Sequence, residues 1–216
     1  MISLDQPRKY LAIGLAALAG FVDAAGFLSA GGYFASFMSG NTTRLGIDLS
    51  NDFDAALMPA GLVSGFVLGV VLGALFSEWG GRWRKTAVLS LAFCLLFVAA
   101  VLDQFWQTGF IGAAVIAMGA INNVFRRDGE VKVGVTYMTG ALVRFGQGLA
   151  ARLLGNSEEG RFSAIGLWVG LAAGAVSGAL SFSYYRASTP WIAVAICSGL
   201  LLSALLIERR SVRSGG

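Results

Sequence analysis

An acidic residue interrupts the first long apolar stretch of this 216-residue sequence. Asp23 lies about midway along residues 11–30, among side chains that favour a nonpolar environment. A carboxylate deep in a membrane costs at least a few kcal/mol, so it needs a partner, water or a function. We therefore predict that Asp23 binds a proton or another cation. The alternative is a buried group that only supports the structure through hydrogen bonds.

Two similar segments, one hundred positions apart, could form a second kind of site. Residues 36–46 read SFMSGNTTRLG and residues 136–146 read TYMTGALVRFG. Their glycines stand beside hydroxyl residues, and we predict helix breaks at Gly40-Asn41 and at Gly140-Ala141. Amide groups freed by such a break attract anions, and freed carbonyl groups attract cations. The alternative is that each glycine makes a tight packing contact without any break.

An arginine follows each of these glycines by four positions, and Asn123 matches Asp23 at the offset of one hundred. Arg44 and Arg144 could bind an anion such as a carboxylate or a phosphate. They could equally extend their charged ends to the nearest membrane interface. The predicted substrate-binding or ion-binding residues are thus Asp23, Gly40, Asn41, Arg44, Asn123, Gly140 and Arg144.

The composition indicates that these residues belong to a membrane protein. Hydrophobic residues make up 56% of the chain and charged residues only 13%, about half the share of a soluble domain. At roughly 20 residues per crossing, the length allows about six membrane-spanning helices. Six apolar stretches fit this number: residues 11–30, 55–76, 86–102, 109–121, 162–182 and 190–207.

The basic residues predict how these stretches cross the membrane. If the broken segments 33–49 and 134–154 are re-entrant, fourteen of the 16 lysines and arginines fall on one side. Asp48, Asp52, Asp54 and Asp103 then fall on the other side. The positive-inside rule therefore predicts six crossings with both termini in the cytoplasm.

Several classes of function are disfavoured by what the sequence contains. It has no histidine, so metal sites and serine–histidine catalysis lose their commonest group. Its glycines are spaced for helix packing, and none forms a phosphate-binding loop. The net charge of +4 follows from the positive-inside pattern rather than from nucleic-acid binding. We therefore expect no enzymatic activity, no cofactor, no metal and no nucleic-acid partner.

A row of four glycines, each four positions from the next, occurs in two apolar stretches at an offset of 105. Such a row lies on one helix face and lets a neighbouring backbone come close. With three crossings per unit, the second unit enters the membrane from the opposite side, as in many transporters. The predicted helix-packing residues are Gly61, Gly65, Gly69, Gly73, Gly166, Gly170, Gly174 and Gly178.

The predicted fold is therefore an all-α membrane protein with six transmembrane helices in two inverted three-helix repeats. The first repeat comprises residues 1–105 and contains the broken segment 33–49. The second comprises residues 106–216 and contains the broken segment 134–154.

Four motifs of the sequence occur together: residues 21–24 (FVDA), residues 37–42 (FMSGNT), Asn122-Asn123 with Arg127, and residues 136–140 (TYMTG). With these motifs the chain resembles a known family, the bacterial YoaK-like membrane proteins, also called domain-of-unknown-function family 1275. The resemblance covers nearly the whole chain and implies a six-helix inner-membrane protein, but it implies no activity.

The sequence departs from that family pattern at three positions. Ala141 stands where the pattern has an asparagine, and Arg44 and Arg144 are not part of it. Any role of the two arginines is therefore specific to this chain.

The function predicted from these features is transport of a small solute across the bacterial inner membrane, with proton coupling through Asp23. The site would lie between the two repeats. One alternative is a passive channel formed by the paired re-entrant segments, and another is a membrane scaffold or sensor that transports nothing. The predicted partners are the lipid bilayer and a small molecule or ion, and association into a homo-oligomer stays open.

Overall fold

The computed structural model describes residues 5–106, 108–127, 130–131, 134–155 and 163–213. Lys132 and Arg161, two of the basic residues in the charge argument, lie outside these ranges. The described residues form eight α-helices and a hairpin of two short strands, β1 (Arg126–Arg127) and β2 (Glu130–Val131). The helices are α1 (Gln6–Ser29), α2 (Met38–Asn51), α3 (Phe53–Gly80), α4 (Arg84–Leu102), α5 (Gly109–Ile121), α6 (Met138–Leu153), α7 (Ser163–Tyr185) and α8 (Thr189–Arg213).

Within the described residues, three continuous helical stretches are long and apolar enough to cross a membrane: Gln6–Ser29, Phe53–Leu102 and Ile165–Ser211. The second has 50 residues and the third 47, and a 3-10 turn divides each into two helices, α3 with α4 and α7 with α8. Helix α5 is apolar but has only 13 residues. At 1.5 Å per residue it reaches about 20 Å, less than the roughly 30 Å of a hydrocarbon core.

The core of the bundle is formed mainly by α1, α4 and α5, which supply most of the large side chains that are fully buried. By contrast, α3 exposes large apolar side chains such as Val67 and Val71. Such a surface suits lipid better than water. The fully buried side chains include Leu15, Leu18 and Val22 of α1, Val88, Leu89 and Leu96 of α4, and Ile111, Met118 and Ile121 of α5.

Helix α7 packs along α1 through its glycine row. Gly174 lies so close to the carbonyl of Ala17 that an added Cβ would overlap it, and Gly178 has the same relation to Phe21. Because both residue numbers rise together, α1 and α7 run parallel. The predicted packing role is met along this row, since Gly170 contacts the backbone of Ile13 and Gly166 contacts its side chain.

Helix α3 packs in the same way along α5. An added Cβ at Gly69 would overlap the carbonyl of Ile116, and one at Gly73 would lie 2.6 Å from the carbonyl of Ala120. These contacts make α3 and α5 parallel, and Gly65 adds a contact with Val115. Gly61 was predicted to join this row, but no atom of the described residues lies within 4 Å of a Cβ placed there. That prediction is wrong, because the glycine row of α3 extends beyond the start of α5 at Gly109.

Two further contacts fix the directions of α4 and α8. The rings of Phe97 and Trp191 are 5.5 Å apart near the end of α4 and the start of α8. At the other end of the pair, Lys85 lies 3.6 Å from Glu208. Helices α4 and α8 therefore run antiparallel. Arg8 at the start of α1 donates a hydrogen bond to Ser211 near the end of α8, so this pair is antiparallel as well.

The helix breaks predicted at Gly40-Asn41 and Gly140-Ala141 are wrong. Helices α2 and α6 begin two residues earlier, and both glycines lie in an unbroken first turn. An added Cβ on Gly140 would lie 2.9 Å from the ring of Tyr137, and one on Gly40 would lie 2.5 Å from the ring of Phe37. The glycines therefore make the tight packing contact that was the alternative, and the non-helical residues come before each helix.

Candidate functional site

The segment between α1 and α2, residues 30–37, is held by Asp23. The backbone amide of Ser36 donates to Asp23 Oδ1 across 2.6 Å, and the hydroxyl of Ser36 donates to Oδ2 across 2.5 Å. Asp23 is the eighteenth of 24 residues in α1, so it is not midway along the helix as predicted. It lies six residues, or about 9 Å, before the end of α1.

Asn41 and Arg44 hold the same segment from the side of α2. Asn41 is fully buried; its Oδ1 accepts a hydrogen bond from the Phe34 amide (3.0 Å), and its Nδ2 donates to the Phe34 carbonyl (2.7 Å). The guanidinium of Arg44 donates to the Gly32 carbonyl (3.1 Å) and stands 4.4 Å from the centre of the Tyr33 ring. Arg44 thus lies along the segment rather than extending away from the protein, and it anchors the segment.

The second half repeats the hydroxyl contact with a different partner. The hydroxyl of Thr136, the counterpart of Ser36, donates to Asn122 Oδ1 across 3.1 Å. Asn123 was predicted to be the counterpart of Asp23, but its Nδ2 donates to the Val70 carbonyl in α3 (3.0 Å). The alignment of Asp23 with Asn123 is therefore off by one residue.

Helix packing gives the same register. Gly20 in α1 lies against the carbonyl of Leu171, and Gly119 in α5 lies against the carbonyl of Phe66. The two glycines are 99 positions apart, and their partners keep the offset of 105. Asn122 is therefore the residue that corresponds to Asp23.

The two halves differ at the other anchors. Ala141 is buried where the first half has Asn41. Its side chain has no polar atom, so it cannot make the two hydrogen bonds that Asn41 makes with the backbone of Phe34. Arg144 is exposed, whereas Arg44 is half-buried against its segment. The two arginines therefore lie in different surroundings.

The predicted site residues form two separate clusters. The side-chain hydrogen bonds of Asp23, Asn41 and Arg44 all end within residues 31–38. Those of Asn122 and Thr136 stay within residues 118–136. Gly40 and Gly140 each belong to the helix start beside one cluster. Within the described ranges, no three His, Cys, Asp or Glu side chains group closely enough to hold a metal ion.

Comparison with known proteins identifies the family of this chain. A family model described as "Protein of unknown function (DUF1275)" matches residues 11–203. The chain belongs to the DUF1275 family. It is similar to the UPF0700 transmembrane protein RA0705 of Rhizobium meliloti (strain 1021), with 37% identity over 195 residues, 89% of this chain and 84% of the relative. No solved structure matches the chain significantly.

The DUF1275 assignment confirms the family predicted from the motifs. Together with the apolar helices, the transmembrane relative makes this chain a membrane protein. The matched residues run from α1 into α8 and include both clusters.

A buried acidic residue of this DUF1275 chain was missed by the sequence reasoning. Glu208 near the end of α8 is only 4% exposed. Its carboxylate accepts hydrogen bonds from the amides of Lys85 (2.9 Å) and Thr86 (3.1 Å) and from the Thr86 hydroxyl (2.7 Å). It thereby caps the start of α4, where backbone amides have no partner within their own helix. An acidic residue directly after the sixth apolar stretch was the signal that could have revealed it.

Proposed function

We propose that this protein is a transporter of a small solute in the bacterial inner membrane, built from two inverted three-helix repeats. The observation that carries the proposal is the direction of the helices. Helix α8 runs opposite to both α1 and α4, while α7 runs with α1 and α5 runs with α3. Helices α3 and α4 form a hairpin across a 3-10 turn, so they run in opposite directions. It follows that α1 runs opposite to α5, that α3 runs opposite to α7, and that α4 runs opposite to α8.

This arrangement supports six crossings with both termini on one side. The start of α1, the start of α4 and the end of α8 meet through Arg8 with Ser211 and Lys85 with Glu208. Arg126 joins the same end of the bundle, because its guanidinium lies 3.1 Å from Glu78 at the end of α3. Under the positive-inside rule, this basic end faces the cytoplasm.

The proposed transport pathway runs between the two clusters at the starts of the short helices α2 and α6. With the helix directions above, the first cluster lies towards the end of the bundle opposite the basic end, and the second lies near the basic end. In transporters built from inverted repeats, substrate and coupling ions bind where non-helical backbone interrupts matching helices of the two repeats. Here, non-helical segments precede the matching short helices α2 and α6. Asp23 is the ionisable member of the first cluster, and Asn122 takes its place in the second. A proton on Asp23 removes the charge that holds Ser36, so residues 30–37 and α2 are freer to move. Because Asn122 cannot ionise, one half responds to protons and the other does not.

A flux measurement on reconstituted protein tests this proposal. Proteoliposomes loaded with a pH-sensitive dye are offered chloride, phosphate, acetate, potassium and a mixture of amino acids in turn. We expect one of these solutes to drive proton movement, and we expect Asp23→Asn to abolish it. Asp103→Asn is the matched control, because Asp103 is also half-buried but lies in neither cluster. Solute flux without proton movement and unaffected by Asp23→Asn would indicate a passive channel.

One observation favours the scaffold alternative. Asp23, Asn41 and Asn122 find their hydrogen-bond partners inside their own halves, as a purely structural group would. If folded protein moves none of the solutes and no protons, the scaffold is the better account.

A further inference from the structure

A groove of about 540 Å³ runs along the contact between the start of α1 and the end of α8. This volume falls within the range of small-molecule sites. Apolar side chains form most of its wall, and polar side chains gather at one end. The wall includes Tyr10 and Leu11 from α1 and Ser203 and Leu206 from α8, and Arg210 and Ser211 stand at the polar end.

The dimensions of the groove match one leaflet of a bilayer. From Leu200 to Ser211 the helix rises about 16 Å, roughly half the thickness of the hydrocarbon core. The groove opens sideways, since Tyr10 is 70% exposed and Leu206 is 56% exposed, while Leu11 is buried beneath them. An occupant can therefore enter from the surrounding lipid.

The polar end of the groove carries excess positive charge. The Arg8 guanidinium donates to the Ser211 hydroxyl across 3.3 Å, so it stands at the same end as Arg210. Asp5 offsets part of this charge, with its carboxylate 3.7 Å from Arg8 Nε. Among the described residues that these contacts bring to the polar end, Arg8 and Arg210 thus outnumber the one acid, Asp5. Glu208 is not part of this balance, because it is buried against α4.

We propose that this groove binds an anionic diacyl phospholipid. One acyl chain lies along residues 200–207, and the phosphate is held near Arg8 and Arg210. Basic pockets between helices at a membrane interface are suited to anionic headgroups, because the arginine fork matches phosphate oxygens. A zwitterionic lipid would bring its own cation next to the same arginines and bind less well. This site is separate from the two clusters and does not depend on transport.

Thermal unfolding of delipidated protein in neutral detergent, followed by tryptophan fluorescence, tests the proposal. At a hundredfold excess over its Kd, phosphatidylglycerol is expected to raise Tm by about 5–10 °C. Phosphatidylcholine with the same chains should raise Tm clearly less, and glycerophosphate without chains should have no effect. Equal stabilisation by the two lipids would refute the charge argument, and an effect of glycerophosphate would indicate a free-anion site instead.

Two pairs of variants localise the effect. Ser203→Trp fills the groove without breaking a contact to another helix, because the Ser203 hydroxyl bonds to Gly199 of its own helix (2.9 Å). We expect it to remove the phosphatidylglycerol shift, whereas Val71→Trp on the exposed face of α3 should keep it. Arg8→Gln with Arg210→Gln should reduce the shift more than Arg82→Gln, an exposed arginine outside the groove.

Native mass spectrometry gives an independent reading that does not rely on unfolding. We expect wild-type protein to retain one phosphatidylglycerol molecule and the Arg8→Gln, Arg210→Gln variant to lose it. An undiminished Tm shift in Ser203→Trp, or unchanged lipid retention in the double arginine variant, would overturn the proposal.

Discussion

Two hydrogen bonds join Asp23 to Ser36, one from the backbone amide at 2.6 Å and one from the hydroxyl at 2.5 Å. They tie α1 to the segment that leads into α2. In the second half, Thr136 makes the hydroxyl bond to the uncharged Asn122. The two halves therefore differ at equivalent positions by one group that can gain or lose a proton.

We predict that this difference makes the protein sensitive to pH. Tryptophan fluorescence of reconstituted wild-type protein should change with pH as Asp23 exchanges its proton. Asp23→Asn keeps the shape of the side chain and an oxygen for Ser36, so it should fold normally and lose the change. Asp103→Asn should retain it. Identical responses of wild type and Asp23→Asn would show that Asp23 is not the responsive group.

Replacing a glycine in either parallel helix pair should destabilise the bundle. Gly69→Leu would force a side chain into the carbonyl of Ile116, and Gly174→Leu would do the same at Ala17. Overpacking of this kind typically costs about 1–3 kcal/mol. Gly61→Ala is the matched control, because its Cβ points into open space and alanine favours a helix by about 1 kcal/mol. The Tm measured in detergent should thus be lower than that of the wild type for Gly69→Leu and Gly174→Leu. For Gly61→Ala it should be unchanged or higher.

Loss of the Glu208 carboxylate should be among the most damaging single changes. Glu208→Gln places an amide opposite three donors from Lys85 and Thr86, and leaves the Lys85 ammonium without its ion pair. Breaking a buried pair in this way costs about 3–5 kcal/mol. Glu78→Gln removes the exposed partner of Arg126 and should cost less than about 1 kcal/mol. Equal effects in the two variants would mean that the cap on α4 contributes little.

Labelling in whole cells checks the orientation of the bundle. In a background where Cys94 and Cys197 are replaced by alanine, Trp83→Cys should resist a membrane-impermeant thiol reagent, and Phe105→Cys should react. Residue 83 lies at the basic end of the bundle and residue 105 at the opposite end. Reaction at residue 83 and protection at residue 105 would reverse the proposed orientation.

Asp103, just after the end of α4, should make stability fall with rising pH. Burial raises the pKa of this carboxyl above its ordinary value of 3.8, and the nearby Arg186 opposes part of the shift. The folded state then holds the proton more tightly than the unfolded state, so stability is lost as pH rises from about 3.8 through the folded pKa. Asp103→Asn should flatten this part of the profile of Tm against pH. An unchanged profile would show that Asp103 is equally solvated in both states.

Much of the helical framework could be predicted because the apolar stretches are long and uninterrupted. The fourth stretch, residues 109–121, coincides with α5, and seven of the eight predicted packing glycines contact a neighbouring helix. The prediction for Gly61 was wrong because a row of glycines in a sequence shows which helix face has no bulky side chains, but not where the partner helix ends. The helix starts at Met38 and Met138 were misplaced because a glycine in the first turn and a glycine at a break look alike in sequence.

The pairing of residues in the candidate site was harder to predict from the sequence. The segments that join the matching helices differ in length between the two halves, and this shifts the alignment of the halves. Eight residues separate α1 from α2, and 16 separate α5 from α6. The offset of one hundred holds for the motifs at Gly40 and Gly140 but changes to 99 in the preceding helices, which moved the counterpart of Asp23 from Asn123 to Asn122. Glu208 could not be paired from sequence, since Thr86 lies 122 positions away.

The parallel packing of α1 on α7 sets the order in which the chain can mature during synthesis. Gly174 is translated 157 positions after Ala17, the residue whose carbonyl it covers. At 5–20 residues per second, the ribosome delivers that partner about 8–30 s later. During that interval the face of α1 that packs against α7 lacks this partner, while α2 to α6 are synthesised. A nascent chain that ends before α7 therefore leaves this contact face of its first helix uncovered by α7.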